Sequence, residues 1–307
     1  MIEMNQPVGV FEKEEPFFEH PAHLRGLVTV RRFARRYPLG FLGAIVLVLM
    51  IIIAILAPVL APHSPVDMNL PRRLEPPNRT FWFGTDSFGR DVFSRVLYGA
   101  RISLYVGFLS VGIASVVGTL AGVASGYKGG LLDLAIQRLV DTLMGFPSLV
   151  MAMVLVVALG AAVNNVALAI AIAFTPRLLR IARSSAISVK EEDYVMAART
   201  IGASNVRIML RHILPNSLAP VFVLATGYLG TAIVAEASLS FLGLGVPPPN
   251  PAWGSMLQES TQGYMETAPW LAIFPGIALS MVVFSFSFLG DALRDALDPR
   301  LRGTGSP

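Results

Sequence analysis

Residues 194–216 read YVMAARTIGASNVRIMLRHILPN and lie between two of the most apolar stretches of a chain that is apolar almost throughout. The apolar positions at the start of this segment follow the i, i+3, i+4, i+7 spacing of one helix face and are Tyr194, Ala197, Ala198 and Ile201. Gly202 follows them, and glycine is the residue that most often ends a helix. The sequence therefore predicts a short helix that stops at Gly202, outside the flanking apolar stretches.

A second helix is predicted directly after this glycine. Ser204 can cap its first turn through the side-chain oxygen. Its apolar positions repeat the same spacing and are Val206, Met209, Leu210 and Ile213. The pattern thus indicates a helix, a glycine corner and another helix.

The outer ends of this pair are also predicted. Ser188, with Glu191 three residues later, forms a capping-box pattern, so we expect the first helix to start there. Pro215 disfavours continuation of the second helix.

The composition indicates whether this chain lies in water or in a membrane. Hydrophobic residues make up 54% of its 307 residues, charged residues 14%, and the mean hydropathy is +0.62. Soluble domains carry about a quarter charged residues, so we expect an all-α integral membrane protein. The sequence has no cysteine, which removes disulfides and thiolate metal sites.

Six membrane spans are predicted from windows that are free of charge, apart from one acid in the fifth. These windows cover residues 39–60, 102–127, 143–162, 163–176, 218–244 and 271–289. The fourth window is short and reaches Arg177 early, so it requires Arg177 and Arg180 to extend toward the membrane surface.

The corresponding domain organisation has one membrane domain between two tails. We expect a tail with an interfacial approach helix at 1–37, a transmembrane domain at 38–290 and a second tail at 291–307. Within the transmembrane domain, the long connections are 61–101, 177–217 and 245–270.

The basic residues predict the orientation. With six spans, 18 of the 24 lysines and arginines fall on the side of the two tails, and the other six all lie between residues 72 and 101. Because cationic residues favour the cytoplasmic side, we expect both termini and the connection 177–217 in the cytoplasm.

The second window contains three glycines at steps of four, Gly118, Gly122 and Gly126. Small residues at this spacing allow another helix to come close. We expect packing within the bundle, with a contact to another subunit as the alternative.

The 194–216 segment also contains the pattern AA-x3-G-x9-HILP, formed by Ala197, Ala198, Gly202 and residues 212–215. It resembles the EAA loop of binding-protein-dependent ABC transporter permeases. The resemblance implies a coupling helix that docks into a cleft of an ATPase subunit. The residues that it implicates are Met196, Ala197, Ala198, Arg199, Gly202, Ala203, Ser204, Asn205, Arg207, Leu214 and Pro215.

The match has two departures. Met196 stands where the family has a glutamate, which puts a charged contact to the ATPase at that point in doubt. His212 stands where an aliphatic residue is usual, and we interpret it as an interfacial polar side chain.

Further blocks narrow the resemblance. Residues 83–104, 137–149, 236–254 and 294–303 are similar, in this order, to the C-type subunit of the dipeptide, oligopeptide and nickel permease group. This resemblance implies a type I importer fold in a bacterial inner membrane, a heterodimer with a B-type permease, and an extracytoplasmic solute-binding protein. It also implies two ATPase subunits that bind ATP and magnesium. The implied substrate is a short peptide, with a nickel chelate or another small solute as the alternative.

The chain itself has no GxxxxGK[ST] phosphate-binding motif, so we expect that it does not bind ATP phosphates itself. Its four histidines all lie outside the predicted spans, and we expect neither catalysis nor a cofactor or metal site of its own. Its partners are expected to be membrane lipid and the other transporter subunits, not nucleic acid. Two rival classes lack support. A secondary transporter should show a repeat between its halves and several intramembrane charges, whereas here only Glu236 is such a charge. An intramembrane enzyme should show an HExxH or GxSxG pattern, and the sequence contains neither.

Glu236 is the acid of the fifth window, and with Ser238 and Ser240 it is a candidate for the substrate pathway. The alternative is a structural partner for a hydroxyl or an arginine. For Arg138 and Asp141, at i and i+3, we expect a local pair or cap.

A compact charged cluster precedes the second window and consists of Asp86, Arg90, Asp91 and Arg95. Two interpretations stay open, a self-satisfying ion-pair network and a docking surface for the binding protein. The proline-rich run at 247–251 predicts a stiff extended segment that ends at Trp253 as an interfacial aromatic anchor.

Overall fold

The computed structural model describes residues 33–297, and within that part the regular structure is helical apart from one isolated β-bridge between Thr85 and Asp91. Among the described residues, 33–38 belong to a different unit from 39–297, and the description below concerns the latter. Of the predicted approach helix, the part before residue 33 lies outside the described residues, and residues 33–36 are helical. The α-helices are α1 Pro38–Leu60, α2 Val92–Lys128, α3 Gly130–Met144, α4 Ser148–Leu159, α5 Val163–Lys190, α6 Asp193–Thr200, α7 Asn205–Ile208, α8 Leu214–Phe241, α9 Trp253–Thr261 and α10 Trp270–Leu297.

Five helical stretches among the described residues are long and apolar enough to cross a membrane. They are α1, α2, α5, α10 and the stretch from α7 through α8. A sixth span exists only if α3 and α4, which meet at 93°, are counted as one bent unit. The membrane bundle predicted from composition is confirmed.

The third predicted window, 143–162, is interrupted by the bend between α3 and α4. α4 has twelve residues, or about 18 Å of helix, whereas the hydrocarbon core is about 30 Å thick. The break falls at Gly145, Phe146 and Pro147, because proline disfavours helical geometry in the residue before it. A charge-free window records hydropathy and carries no information about such a bend.

The fourth window, 163–176, is only the first half of a longer helix. α5 continues through Pro176 to Lys190 and has 28 residues. Pro176 is buried inside this helix, and prolines are tolerated within membrane helices. The expectation of a short fourth span was therefore wrong.

α2 and α5 form the central pair of the bundle. A Cβ added to Gly126 would lie 2.7 Å from the Arg183 carbonyl oxygen, and one added to Gly122 would overlap the carbonyl of Leu179. The glycine stripe of α2 therefore lets the backbone of α5 approach closely, and the prediction of packing within the bundle is confirmed.

The remaining helices surround this pair. α4 and α8 pack on it around Ala167, Ile170 and Leu178, which are fully buried. α8 approaches α10 at Gly230, where an added Cβ would lie 3.3 Å from the Val283 carbonyl oxygen. α9 lies against α8 and α10.

Candidate functional site

The segment from 193 to 208, called the α6–α7 segment below, joins the ends of α5 and α8. α6 ends before Gly202, whose φ of +81° lies in the left-handed region that favours glycine. Ser204 then caps α7, and its Oγ accepts a hydrogen bond from the Arg207 N–H at 3.4 Å. The prediction of a helix, a glycine corner and a second helix is confirmed.

The predicted outer ends of this helix pair were wrong. α5 runs through Ser188, whose hydroxyl donates to the Ser184 carbonyl at 3.3 Å, so Ser188 does not begin a helix. α6 starts at Asp193 instead, after Glu192. A capping box is only a local pattern, and here the backbone hydrogen bonds of a long buried helix outweigh it.

Pro215 does not stop the second helix. The π-helical turn Met209–Ile213 follows α7 directly and leads into α8, where Pro215 occupies the first turn. Pro215 falls directly after this π-helical turn, in which the Leu214 N–H donates to the Met209 carbonyl five residues earlier, so the missing N–H group of Pro215 coincides with an irregularity of the helix. The chain is therefore helical from Asn205 to Phe241.

One side of the α6–α7 segment is packed firmly on the membrane helices. Its contacts form a small core cluster in which every residue named is at most 8% exposed. The members are Val195, Ala198, Ile208 and Ile213 from the segment and the turn after it, Val123 and Tyr127 from α2, and Ala186 from α5.

Polar contacts also tie the segment to α2 and to α8. The Tyr127 hydroxyl donates to Asn205 Oδ1 at 2.7 Å, and the Arg199 guanidinium lies 5.6 Å from the centre of the Tyr127 ring. Asn216 of α8 donates from Nδ2 to the Tyr194 hydroxyl at 3.1 Å. The segment is thus fastened to both α2 and α8.

The opposite side carries an open groove of about 440 Å³. Ile201 is 85% exposed and Tyr194 42% exposed, which is unusual for large apolar side chains at the surface of one short segment. Arg207, Arg211 and His212 supply its polar edge. The residues predicted to share an apolar face, Tyr194, Ala197, Ala198 and Ile201, all line this groove.

Of the other residues singled out by the EAA-loop resemblance, Ala203 and Arg207 also line this groove. Met196 is 48% exposed and lies outside the groove lining. Arg199, Gly202, Ser204, Asn205 and Pro215 are exposed, and Ala203 and Leu214 are half-buried.

Glu236 lies inside the bundle and is fully buried. Its carboxylate accepts hydrogen bonds from Ser103 of α2 at 2.9 Å and from Ser240 at 2.7 Å. Ser240 Oγ also accepts from the Val246 N–H at 3.3 Å. Of the two interpretations of Glu236, this geometry favours the structural partner of hydroxyls, because Glu236 and Ser240 join α8 to its neighbours.

Ser238 lies on the other face of α8 and is half-buried. Its hydroxyl donates to the Val234 carbonyl at 2.8 Å. Seven and eleven residues earlier, Thr231 and Gly227 line a groove of about 690 Å³ between α5, α8 and α10. Helical periodicity therefore places Ser238 on the groove side of α8, away from Glu236.

The charged cluster before α2 forms a buried network. Arg90 Nε lies 2.5 Å from Asp86 Oδ2, and Arg95 Nε lies 3.3 Å from the same oxygen. Asp91 is the N-cap of α2, and its side chain accepts from the Ser94 N–H at 3.0 Å. All four predicted residues are at most 5% exposed, so the geometry favours the ion-pair network over side chains available for docking.

Glu259 of α9 completes this network and was missed from the sequence. Its Oε2 lies 3.2 Å from Arg90 Nη2, and its Oε1 accepts from the Ser87 N–H at 3.0 Å. Arg90 and Glu259 are 169 residues apart in sequence. Glu259, an acid in the connection 245–270, has no local pattern that could indicate so distant a partner.

Two further predictions were wrong. Trp253 is fully buried and donates from Nε1 to the Val96 carbonyl at 3.0 Å, so it anchors α9 to α2 instead of lying at a membrane interface. Asp141 pairs with Arg180 of α5 at 2.5 Å and not with Arg138, because α3 packs against α5.

The described residues form a membrane-embedded helical bundle that carries an exposed helical segment, the α6–α7 segment. Two family profiles match: "Binding-protein-dependent transport system inner membrane component" over residues 118–303 and "N-terminal TM domain of oligopeptide transport permease C" over residues 27–77. The chain belongs to the family of binding-protein-dependent inner-membrane permeases, and to its oligopeptide permease C branch.

Relatives and one solved structure agree with this assignment. The dipeptide transport system permease protein DppC of Alkalihalophilus pseudofirmus is 46% identical over 87% of this chain and 88% of the relative. The glutathione transport system permease protein GsiD of Escherichia coli is 42% identical over 89% of this chain and 90% of the relative. An inward-facing structure of the MetNI methionine ABC transporter matches with a TM-score of 0.53 and 18% identity, over 66% of this chain and 96% of the other, which supports the fold.

Proposed function

We propose that this chain is the C-type permease subunit of an ATP-driven importer and that it transmits ATPase motion through the α6–α7 segment. The observation that carries the proposal is the two-sided construction of this segment. One side is packed on α2 and α5, and the other presents a groove lined by Tyr194, Ala197 and Ile201. A rigid body held in this way can pass a displacement of its outer side to the helices behind it.

The groove suits a protein partner with an apolar knob and an acidic rim. Its floor is apolar, and Arg207 and Arg211 lie at its edge. Met196 lies beside this groove in place of the family's glutamate, so the contact proposed here depends on apolar burial and on the arginines. The partner would be an ATPase subunit, which binds ATP and magnesium on its own residues.

The proposed orientation follows from the same segment. A cytoplasmic ATPase requires the α6–α7 segment and both termini on the cytoplasmic side, which agrees with the distribution of basic residues. The network of Asp86, Arg90, Arg95 and Glu259 would then lie on the extracytoplasmic side. Exposed side chains of that side, such as Trp82 at 57%, would be available to a solute-binding protein.

The groove between α5, α8 and α10 is the proposed half of the translocation pathway. Tyr228 and Thr231 offer hydroxyls there, and Asp291 and Arg294 offer opposite charges, in walls that are otherwise apolar. A short peptide carries an ammonium, a carboxylate and amides, so these groups complement it. A B-type permease would close the open side.

The proposed substrate is a short peptide. Its support is the naming of the dipeptide and glutathione permeases among the relatives, together with the paired charges of the groove. A nickel chelate or another small solute is the alternative. Uptake of a labelled dipeptide and of a nickel chelate by vesicles containing the full complex distinguishes these two.

The coupling proposal is tested with Ile201→Asp in the full complex. A carboxylate in a desolvated apolar contact is costly, so ATPase subunits should co-purify at least about tenfold less well, and uptake should fall with them. The matched control is Val206→Asp, since Val206 is 61% exposed but lies outside the groove. Unchanged ATPase retention in the Ile201 variant would contradict the proposal.

A further inference from the structure

A second, smaller trough of about 270 Å³ lies between α1 and α2, at the end of the bundle opposite the α6–α7 segment. Its walls are apolar side chains with one aromatic hydroxyl. They are Ile51, Ala54 and Ile55 from α1 and Leu104, Tyr105 and Phe108 from α2, together with one cation, Arg101.

The trough opens outward, while Ala54 and Leu104 at its base are buried and belong to the core. Ile55 is 67% exposed, Tyr105 50% and Phe108 44%. In a chain that spans a membrane, an outward apolar trough meets lipid acyl chains or a partner helix. The position of Arg101 distinguishes these occupants.

Arg101 is exposed, and its guanidinium lies 5.9 Å from the centre of the Tyr98 ring. Within residues 33–297, no carboxylate lies within ion-pair distance of it. It directly precedes the charge-free stretch 102–127, so it lies where α2 enters the hydrocarbon. A cation at that depth requires an anion or water beside it.

We propose that this trough binds one anionic phospholipid, with its phosphate on Arg101 and an acyl chain along Ile51, Ile55 and Phe108. The planar guanidinium can hold two phosphate oxygens at once. Tyr98 and Tyr105 lie beside it at the level where tyrosines contact headgroups. The trough is large enough for part of one chain, so the lipid would lie between α1 and α2 and not inside the bundle.

A partner helix fits this trough less well. To neutralise Arg101 it would have to present a carboxylate at this one level of the membrane. Headgroup phosphates are present at that level of every phospholipid bilayer and need no matching residue, and in an anionic lipid no headgroup cation compensates the phosphate charge that Arg101 would bind. The charge therefore favours a lipid over a protein occupant.

The test uses the purified complex with the full chain and native mass spectrometry after incubation with phosphatidylglycerol or phosphatidylcholine. Arg101→Gln should lower retained phosphatidylglycerol about fivefold and leave phosphatidylcholine unchanged. Arg79→Gln is the matched control, because Arg79 is exposed but lies outside the trough. Ile55→Trp, which fills the trough while keeping the charge, should reduce phosphatidylglycerol as well.

A photo-crosslinking amino acid at position 55 identifies the occupant directly. A phospholipid adduct supports the proposal. A protein adduct, equal retention of phosphatidylglycerol by wild type and Arg101→Gln, or equal retention of both lipids by the wild type would overturn it. None of these outcomes depends on transport activity, so the lipid site can fail while the importer function stands.

Discussion

Tyr127 and Asn205 are 78 residues apart in sequence, yet the Tyr127 hydroxyl donates to Asn205 Oδ1 at 2.7 Å. This hydrogen bond joins the last turn of α2 to the first turn of α7, beside the buried contacts of Val123 with the same segment. The α6–α7 segment is therefore tied to α2 by both apolar and polar contacts.

Tyr127→Phe removes this hydrogen bond and keeps the ring under Arg199. We expect a loss of about 1 kcal/mol in the free energy of unfolding and less substrate moved per ATP hydrolysed, because the segment can shift without moving α2. Both are measured on the reconstituted complex. Tyr105→Phe is the matched control, since Tyr105 also lies on α2 and donates to Asn164 of α5 at 3.0 Å, at the other end of the bundle. An equal effect on coupling in both variants would contradict the prediction.

The close contact of α2 with α5 gives a second prediction. An added Cβ at Gly122 would lie 2.8 Å from the Ala182 Cβ and overlap the backbone of α5, whereas one at Gly112 meets nothing within 4 Å. Gly122→Ala should therefore cost about 1–3 kcal/mol of stability through overpacking. Gly112→Ala should be neutral or slightly stabilising, because alanine favours the helix. Thermal unfolding of the two variants, followed by a fluorescent or light-scattering probe, makes the comparison, and similar melting temperatures would argue against close packing at Gly122.

The features predictable from the sequence are those encoded by local periodicity. The glycine corner at Gly202 and the glycine stripe of α2 each depend on a spacing within one helix, and both predictions are confirmed. The spacing that groups Tyr194 with Ile201 identifies residues of one groove but not what covers it.

The features that could not be predicted depend on contacts between distant segments. Ser188 has the pattern of a helix start, yet it lies within α5 because that helix continues along the buried core. Trp253 has the composition of an interfacial anchor, yet it fits against Gly99 of α2, where an added Cβ would lie 2.9 Å from the indole ring. Glu259 reaches Arg90 only because α9 folds back on the connection before α2. No local pattern records these pairings.

The buried network before α2 supplies a third prediction. Asp86 is 2% exposed and faces both Arg90 and Arg95, so among the described residues Asp86→Asn leaves the buried Arg95 without an ion-pair partner and Arg90 with Glu259 alone. We expect a loss of about 3–5 kcal/mol and rapid proteolysis within residues 61–91. Asp67→Asn is the control, because Asp67 is exposed, and surface changes usually stay within about 0.5 kcal/mol. If Asp86→Asn reduced only binding-protein association and left stability intact, the docking interpretation would replace the network.

Glu236 gives the last prediction, since the two interpretations of this acid lead to different kinetics. If Glu236 is a structural partner of Ser103 and Ser240, its replacement by glutamine keeps the side-chain volume and one hydrogen-bond acceptor, so stability should change little. Glu236→Ala should cost about 3 kcal/mol or more, because it opens a cavity and leaves two buried hydroxyls without their acceptor. The KM for uptake should stay unchanged in Glu236→Gln, whereas a pathway acid that binds the substrate ammonium predicts a rise in KM at constant stability. Thr231→Val, on the groove side of α8, is the matched control: if the groove is the pathway, KM should respond there and not at Glu236.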